Sequence, residues 1–376
     1  MNILYWSLFT VVVYCYAGLP LIAVINGLAK PRKVKRTDFP PGLTIIVAAY
    51  NEEQQIQHKI DNTFASNYPS EKIQLIIASD GSTDQTSSIV NYNTDPRIVF
   101  LNLPRKGKNA TLNSAVKHAV HEILVFTDAD VSIDANALSQ LASHFSEADV
   151  GCVAGNFQYI GAGNDGESTH WNIDRWAKKR LSRSGSITSA TGALYAIRKS
   201  LFRNIPDGVT DDFYISTLAS RQKKRILFDE NAISFGNGVS STGHEFTRKV
   251  RIAVAGLKGV WHQRKVCNPM EFGMFAVQLF THKVARRLGA IPIIIQFFVL
   301  SAIANTSPVY MALFVLQLVF HLLALTGFLL RNRKAGQCKI FALPYFIDMV
   351  LWSGLVALYH LILSTRMDLW VPDRNT

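Results

Sequence analysis

Asp128-Ala129-Asp130 stands just past the apolar run Ile123–Phe126, so a short turn presents two carboxylates at the end of a buried segment. Hard divalent cations take oxygen ligands, and Mg2+ is usually held by one or two carboxylates together with the phosphates of a ligand. Acidic residues recur in the same way elsewhere. Ala49-Tyr50-Asn51-Glu52-Glu53 follows Leu43–Ala48, and Ser79-Asp80-Gly81-Ser82-Thr83-Asp84 follows Ile73–Ala78. Capping of a helix accounts for Asp84, and a turn accounts for Gly81. Like charges gathered at three segment ends are costly unless a cation or a donor-rich ligand lies among them. Arg105-Lys106-Gly107-Lys108-Asn109-Ala110 adds the opposite charge at the start of a helix, where backbone N–H groups attract phosphate. The spaced glycines of a P-loop and its Ser/Thr after Lys are missing, and no Gly-x-Gly-x-x-Gly follows Leu43–Ala48. The basic run is no P-loop, and the second absence argues against a dinucleotide oxidoreductase.

The segments that carry these groups alternate. Leu43–Ala48, Ile73–Ala78, Ile98–Leu101 and Ile123–Phe126 are short and almost continuously apolar, as buried parallel strands are. Helical stretches fall between them near Glu53–Ala65, Asp84–Asn91 and Lys108–Val120. Such alternation predicts an α/β fold: an open, mostly parallel sheet with helices on both faces, whose ligands bind beyond the carboxyl ends of the strands. The acidic turns lie at those ends.

The rest of the chain is of another kind. Of 376 residues 48% are hydrophobic and 18% charged, which excludes disorder as the main state. The 4 cysteines are scattered singly, which excludes a disulfide scaffold or a Cys-based metal site. Ile3–Ala29 and Leu288–Leu330 contain no Asp, Glu, Lys or Arg. A bilayer core of about 30 Å needs roughly 20 helical residues. The first run predicts one retained span, and Lys30-Pro31-Arg32-Lys33 after it is no signal-peptide cleavage site. The second predicts two, Leu288–Ala304 and Pro308–Leu330, with a turn at Asn305–Pro308. Ile340–Leu363 makes a fourth, with Asp348 inside it as either a functional group or a packed polar residue. Basic residues cluster at Lys30–Arg36, Arg286–Arg287 and Arg331–Lys339. By the positive-inside rule all three clusters are cytoplasmic, and so is the domain between the first two. Much of the net charge of +12 is then topology and contact with anionic lipid, and no nucleic-acid partner is called for. Phe246, Val250, Val254, Leu257 and Trp261, then Phe272, Phe275, Leu279 and Phe280, recur at helical spacing beside basic residues. They predict amphipathic helices in the membrane interface or packed on the sheet.

Taken together, these motifs resemble glycosyltransferase family 2, in the membrane-embedded branch of the chitin-oligosaccharide, hyaluronan and cellulose synthases. The resemblance covers about Leu43–Arg287 with the flanking spans, and one span before and three after the domain are similar to the chitin-oligosaccharide synthase layout. It implies a GT-A nucleotide-sugar domain. Tyr50 and Glu52 match its nucleotide-binding loop, Asp80 the carboxylate that holds the base, and Lys108 an element near the diphosphate. Asp128 and Asp130 match the metal-binding Asp-x-Asp, with Asp128 also on the donor side and Mg2+ or Mn2+ as the cofactor. Ser189–Arg198, with Gly192, resembles the acceptor-side segment. Thr210-Asp211-Asp212 matches Thr-Glu-Asp, which makes Asp212 the general base, with Asp211 a second candidate. As a bland alternative the Asp pair would cap a helix over Phe213–Ser220. Arg251 alone matches Gln-x-x-Arg-Trp, since Arg248 and Ile252 replace its Gln and Trp. The acceptor-stacking Trp of the polymerases therefore has no counterpart here.

The organisation this implies is an anchor and basic linker over 1–36, a catalytic domain over 37–243, amphipathic helices over 244–287 and three spans over 288–376. The implied reaction is metal-dependent, inverting transfer of a sugar from a nucleotide-sugar, UDP-linked by the family default, to a growing glycan. Two readings compete with it: transfer of a single sugar to a lipid acceptor, and a catalytically silent membrane scaffold that binds nucleotide-sugar.

Overall fold

A computed structural model describes residues 1–28, 40–160, 165–237 and 242–363. The basic linker at Lys30–Arg36 lies outside the described residues. Eight strands make one sheet: β1 (Leu43–Ala49), β2 (Ile73–Asp80), β3 (Ile98–Leu103), β4 (Ile123–Thr127), β5 (Ser132–Ile133), β6 (Val150–Ile160), β7 (Leu194–Arg198) and β8 (Arg225–Asn237). Their order is β3-β2-β1-β4-β7-β6-β8-β5. The half made of β3, β2, β1 and β4 is wholly parallel. Beyond β4 the pairing is mixed, antiparallel at β7 and parallel between β6 and β8.

Successive side chains of a strand point to opposite faces, and both faces are apolar. On β1, Ile46 and Ala48 enter one core while Leu43, Ile45 and Val47 enter the other. The run therefore shows no polar alternation. A first apolar helix, α1 (Asn2–Leu28), comes before the sheet. Helices α2 (Ile56–Phe64), α3 (Thr86–Asn91) and α5 (Ala137–Ser143) close one face, and α4 (Lys108–Val116), α6 (Asp165–Ser184) and α7 (Asp211–Arg221) close the other. Leu19 and Ala23 of α1 reach into the second of these cores.

After the sheet come α8 (Thr242–His262), α9 (Met274–Leu288, with a π-helical turn at Thr281–Ala285), α10 (Ala290–Ile303), α11 (Pro308–Leu329) and α12 (Lys339–Ile362). Three helices are long and apolar enough to cross a membrane: α1 through Ile25, α11 and α12. The expected span at Leu288–Ala304 is shorter than its composition suggests. Its 14 residues rise about 21 Å at 1.5 Å each, short of a ~30 Å core. It meets α9 at a bend of 53°, so a fourth crossing exists only if the bent pair serves as one. The turn at Asn305–Pro308 is as expected: Ser307 caps α11 through the Val309 N–H, with Pro308 in its first turn.

Helix α8 is amphipathic as its spacing demands, but protein covers much of its apolar face. Val250, Ala253 and Val254 are buried against Ala357 of α12. Ile252 and Trp261 stay exposed, at 42% and 68%. Asp348 has a partner, since His321 Nδ1 of α11 lies 2.9 Å from its Oδ2.

Candidate active site

Loops at the carboxyl ends of the parallel strands are tied together before any ligand is considered. After β1 the backbone turns at Asn51 with φ 54°, a left-handed conformation that Asn tolerates better than most residues. Asn51 Oδ1 accepts from Thr83 N at 2.7 Å, and Glu52 N donates to Thr86 Oγ1 at 2.7 Å. The carbonyl of Glu52 accepts from Ile56 N at 2.8 Å, which places Glu52 at the N-terminus of α2. Tyr50, just after β1, lies under the guanidinium of Arg105, 3.4 Å from the ring centroid. Arg105 in turn donates to Asp80 Oδ2 at 2.5 Å. Asp80 is 2% exposed and also accepts from Lys106 N at 2.8 Å and Gly107 N at 3.0 Å. In this conformation its carboxylate organises the 105–107 loop, and Arg105 is what covers Tyr50. Gly107 holds that loop at φ 93°, ψ 157°, a backbone state essentially restricted to glycine.

Lys108 opens α4 and joins two distant motifs. Its Nζ lies 2.7 Å from Asp128 Oδ1 and 3.3 Å from Asp211 Oδ2. Burial would lower the Lys108 ammonium, but Asp128 and Asp211 hold it above the usual lysine range. Gly192 faces the same place, because a Cβ there would lie 3.6 Å from Asp128 Oδ2. Tyr50, Asp80, Lys108, Asp128 and Asp130 thus line the carboxyl edge of the parallel half, and Gly192 and Asp211 meet it from the mixed half, with Asp212 the next residue of α7. Asp130 is the exposed carboxylate of its turn. Protein crowding around its carboxyl group, exposed as the residue is, and then the adjacent Asp128 raise its pKa.

Asp211 and Asp212 form the first turn of α7, but Thr210 is the N-cap and makes no side-chain capping bond. Asp212 answers one free N–H of that first turn with its own side chain, while Asp211 turns to Lys108. Asp212 Oδ1 accepts from Phe213 N at 2.7 Å. Burial and then the neighbouring Asp211 raise the Asp212 pKa, while Lys283 and Lys108 pull it the other way. Lys283, on α9, sits 5.2 Å from the centroid of the Phe213 ring. Arg251 is half-buried on α8, the helix on which Gly256 receives the Arg287 side chain. His282, which carried no sequence role, has its Nδ1 2.6 Å from Thr188 Oγ1, next to the Ser189–Arg198 segment.

Two contributors were not singled out from sequence. Arg105 is one; its residue type promised only phosphate attraction. Lys59 is the other, an α2 side chain 1% exposed that donates to Thr127 Oγ1 at 2.8 Å and Val131 O at 2.6 Å. Burial pushes its ammonium down to about 7, with Asp128 and Asp130 opposing the shift. A lysine next to Ile56 and Ile60 on a buried helix face was the available signal.

The described residues contain no cluster of three or more His, Cys, Asp or Glu able to hold a metal by themselves. Two carboxylates on one turn, one exposed, leave most coordination positions to phosphate and water.

Residues 44–206 match the model of Glycosyl transferase family 2. Over 227 residues the chain is 26% identical to poly-beta-1,6-N-acetyl-D-glucosamine synthase of Staphylococcus epidermidis, covering 57% of this chain and 54% of that one. The synthase of the same name from Staphylococcus aureus is 25% identical over 228 residues, with the same coverage. The chain thus spans about half the length of the curated relatives it matches. Among solved structures it is similar to the mannosyltransferase PcManGT of Pyrobaculum calidifontis, in complex with GDP-Man and Mn2+. The TM-score is 0.70 at 21% identity, covering 94% of this chain and 99% of that one. That likeness is one of fold, and it extends over the apolar helices as well as the sheet. Residues 44–206, with the β1–β4 edge and the Asp128–Asp130 turn, are a glycosyl transferase family 2 domain on a GT-A-like sheet.

Proposed function

We propose that the chain is a membrane-integral, inverting glycosyltransferase that moves a sugar from a nucleoside-diphosphate donor to a hydroxyl of a growing glycan. The observation that carries this reading is Lys108, whose ammonium lies between Asp128 and Asp211 and so joins the two motifs read as donor-side and acceptor-side. Tyr50, Arg105 and the loop built on Asp80 offer a flat face for a base. Lys108 and the N-terminus of α4 offer positive charge to a diphosphate. Asp128 and Asp130 would hold Mg2+ or Mn2+, which supplies charge neutralisation for the departing diphosphate.

Asp212 is the base. A neutral hydroxyl must lose its proton as the new bond forms, and a carboxylate whose pKa is raised is a stronger base than an unperturbed one. One base and one displacement invert the anomeric carbon. Glycan extension is supported by the likeness to the poly-N-acetylglucosamine synthases. A lipid acceptor is the second reading, favoured by Lys283 of α9 at the Asp212–Phe213 turn, where the cleft meets the apolar helices. Gly192, Asp211 and Arg251 belong to the acceptor and diphosphate side in both readings.

Membranes containing the chain, supplied with a panel of nucleotide-sugars and Mg2+ or Mn2+, test the proposal. Release of nucleoside diphosphate from one donor, with product of growing length, is the expected result. A single-sugar lipid product selects the second reading. No release from any donor leaves a silent scaffold and contradicts both.

A further inference from the structure

Helix α2 holds the chain from Thr127 to Ile133 with side chains alone. His58 Nε2 lies 3.0 Å from Ser132 Oγ. Asn62 donates to Ile133 O at 3.0 Å and accepts from Ile133 N at 2.8 Å. Lys59 donates to Thr127 Oγ1 on one side of Asp128-Ala129-Asp130 and to Val131 O on the other. Thr127 Oγ1 passes the connection on, donating to Ala193 O at 2.8 Å, next to Gly192. An ammonium on a buried helix face is costly, and an apolar side chain would fill that volume without the desolvation penalty. What an apolar residue would not supply is a pair of strong, directed bonds that bracket the turn.

We propose that Lys59 is a positioning residue for the Asp128–Asp130 turn, fixing both of its ends so that the two carboxylates meet a divalent cation together. The proposal rests on the reading of Asp128 and Asp130 as metal ligands. It has a sign that separates it from a bystander role. A cation lying near two carboxylates repels Mn2+, so removing a bystander tightens Mn2+ binding, whereas removing a support that orients ligands weakens it.

The test measures Mn2+ binding to the purified full-length chain in detergent, with UDP or GDP present, by loss of the free-ion electron paramagnetic resonance signal. Thermal unfolding is followed alongside. Lys59→Met is expected to weaken binding by about tenfold or more and to change the bound-Mn2+ spectrum. Lys59→Arg restores most of the affinity. Thr127→Val, which keeps the lysine and loses one anchor, weakens binding by a smaller factor. Unchanged or tighter binding in Lys59→Met overturns the proposal. If that variant does not fold, unchanged affinity in Thr127→Val overturns it instead. Asp130→Asn separates the two levels of the reading. If it abolishes binding, the metal assignment stands whatever Lys59 does. If it binds Mn2+ like the unaltered chain, the metal assignment fails and the role of Lys59 with it.

Discussion

Lys108, the first residue of one helix, lies 3.3 Å from Asp211, the first residue of another far along the chain. The contact brings the Gly-Lys element and the Asp-Asp element together, with Asp128 on the other side of the same ammonium. Lys108→Met leaves these two carboxylates without their shared cation. The kcat/KM for donor is expected to fall by about 10² to 10³, the scale of losing one charge-stabilising group. Initial rates across donor concentrations check this, and a rate within a few-fold of the unaltered enzyme would show that Lys108 is only structural.

Asp212 should also govern the pH profile. Burial, then Asp211, raises its pKa. The carboxylate form is therefore lost as pH falls at values above the ordinary carboxylate pKa of about 4. The acid limb of kcat/KM is expected in that raised range, and Asp211→Asn should move it to lower pH. The sign for stability is opposite to that for activity. A carboxylate whose pKa is raised on folding costs stability once ionised, so Asp212→Asn is expected to raise the unfolding midpoint at neutral pH. Unfolding followed between acidic and neutral pH checks this, since the difference between the two proteins should vanish at low pH.

Gly107→Ala tests the loop on which Asp80 depends. A side chain at φ 93°, ψ 157° costs about 1–3 kcal/mol unless the loop rearranges. Rearrangement withdraws the Gly107 N–H from Asp80. Either way the unfolding midpoint falls, or nucleotide binding weakens while the midpoint holds. Calorimetry with nucleoside diphosphate distinguishes the two.

Orientation in the membrane can be read from the chain's own cysteines. Cys15 and Cys152 are buried, Cys267 is half-buried, and Cys338 is exposed in the basic connection between α11 and α12. The positive-inside rule places that connection in the cytoplasm. A membrane-impermeant maleimide should label Cys338 only after permeabilisation. Labelling in intact cells would reverse the proposed topology.

The parallel half of the sheet was legible because strands buried on both faces are written as continuous apolar runs. Ile73–Ala78 predicted β2 to within two residues, and the acidic residue after it marked the carboxyl edge. The mixed half was not. Strand β6 carries Gly151 and Gly155 and pairs with β8 through two register irregularities, so it offers no uniform run. Among the membrane helices, composition located the apolar residues at 288–304 but not the bend before them, since the bend depends on how α9 seats against the domain. The roles of Arg105, noted from sequence only within a phosphate-attracting basic run, and of Lys59, not noted at all, were hidden for a similar reason. What they do depends on a ring after one strand and a turn after another, which adjacency in sequence does not reveal.

The central claim is that Asp212 deprotonates the acceptor in a cleft that binds the donor independently of it. Release of nucleoside diphosphate by Asp212→Asn, compared with the unaltered chain on the nucleotide-sugar it accepts, tests this most directly. Donor affinity is expected to be unchanged and turnover to fall by about 10² to 10⁴, the range for loss of a general base. Turnover within a few-fold of the unaltered chain would contradict the account.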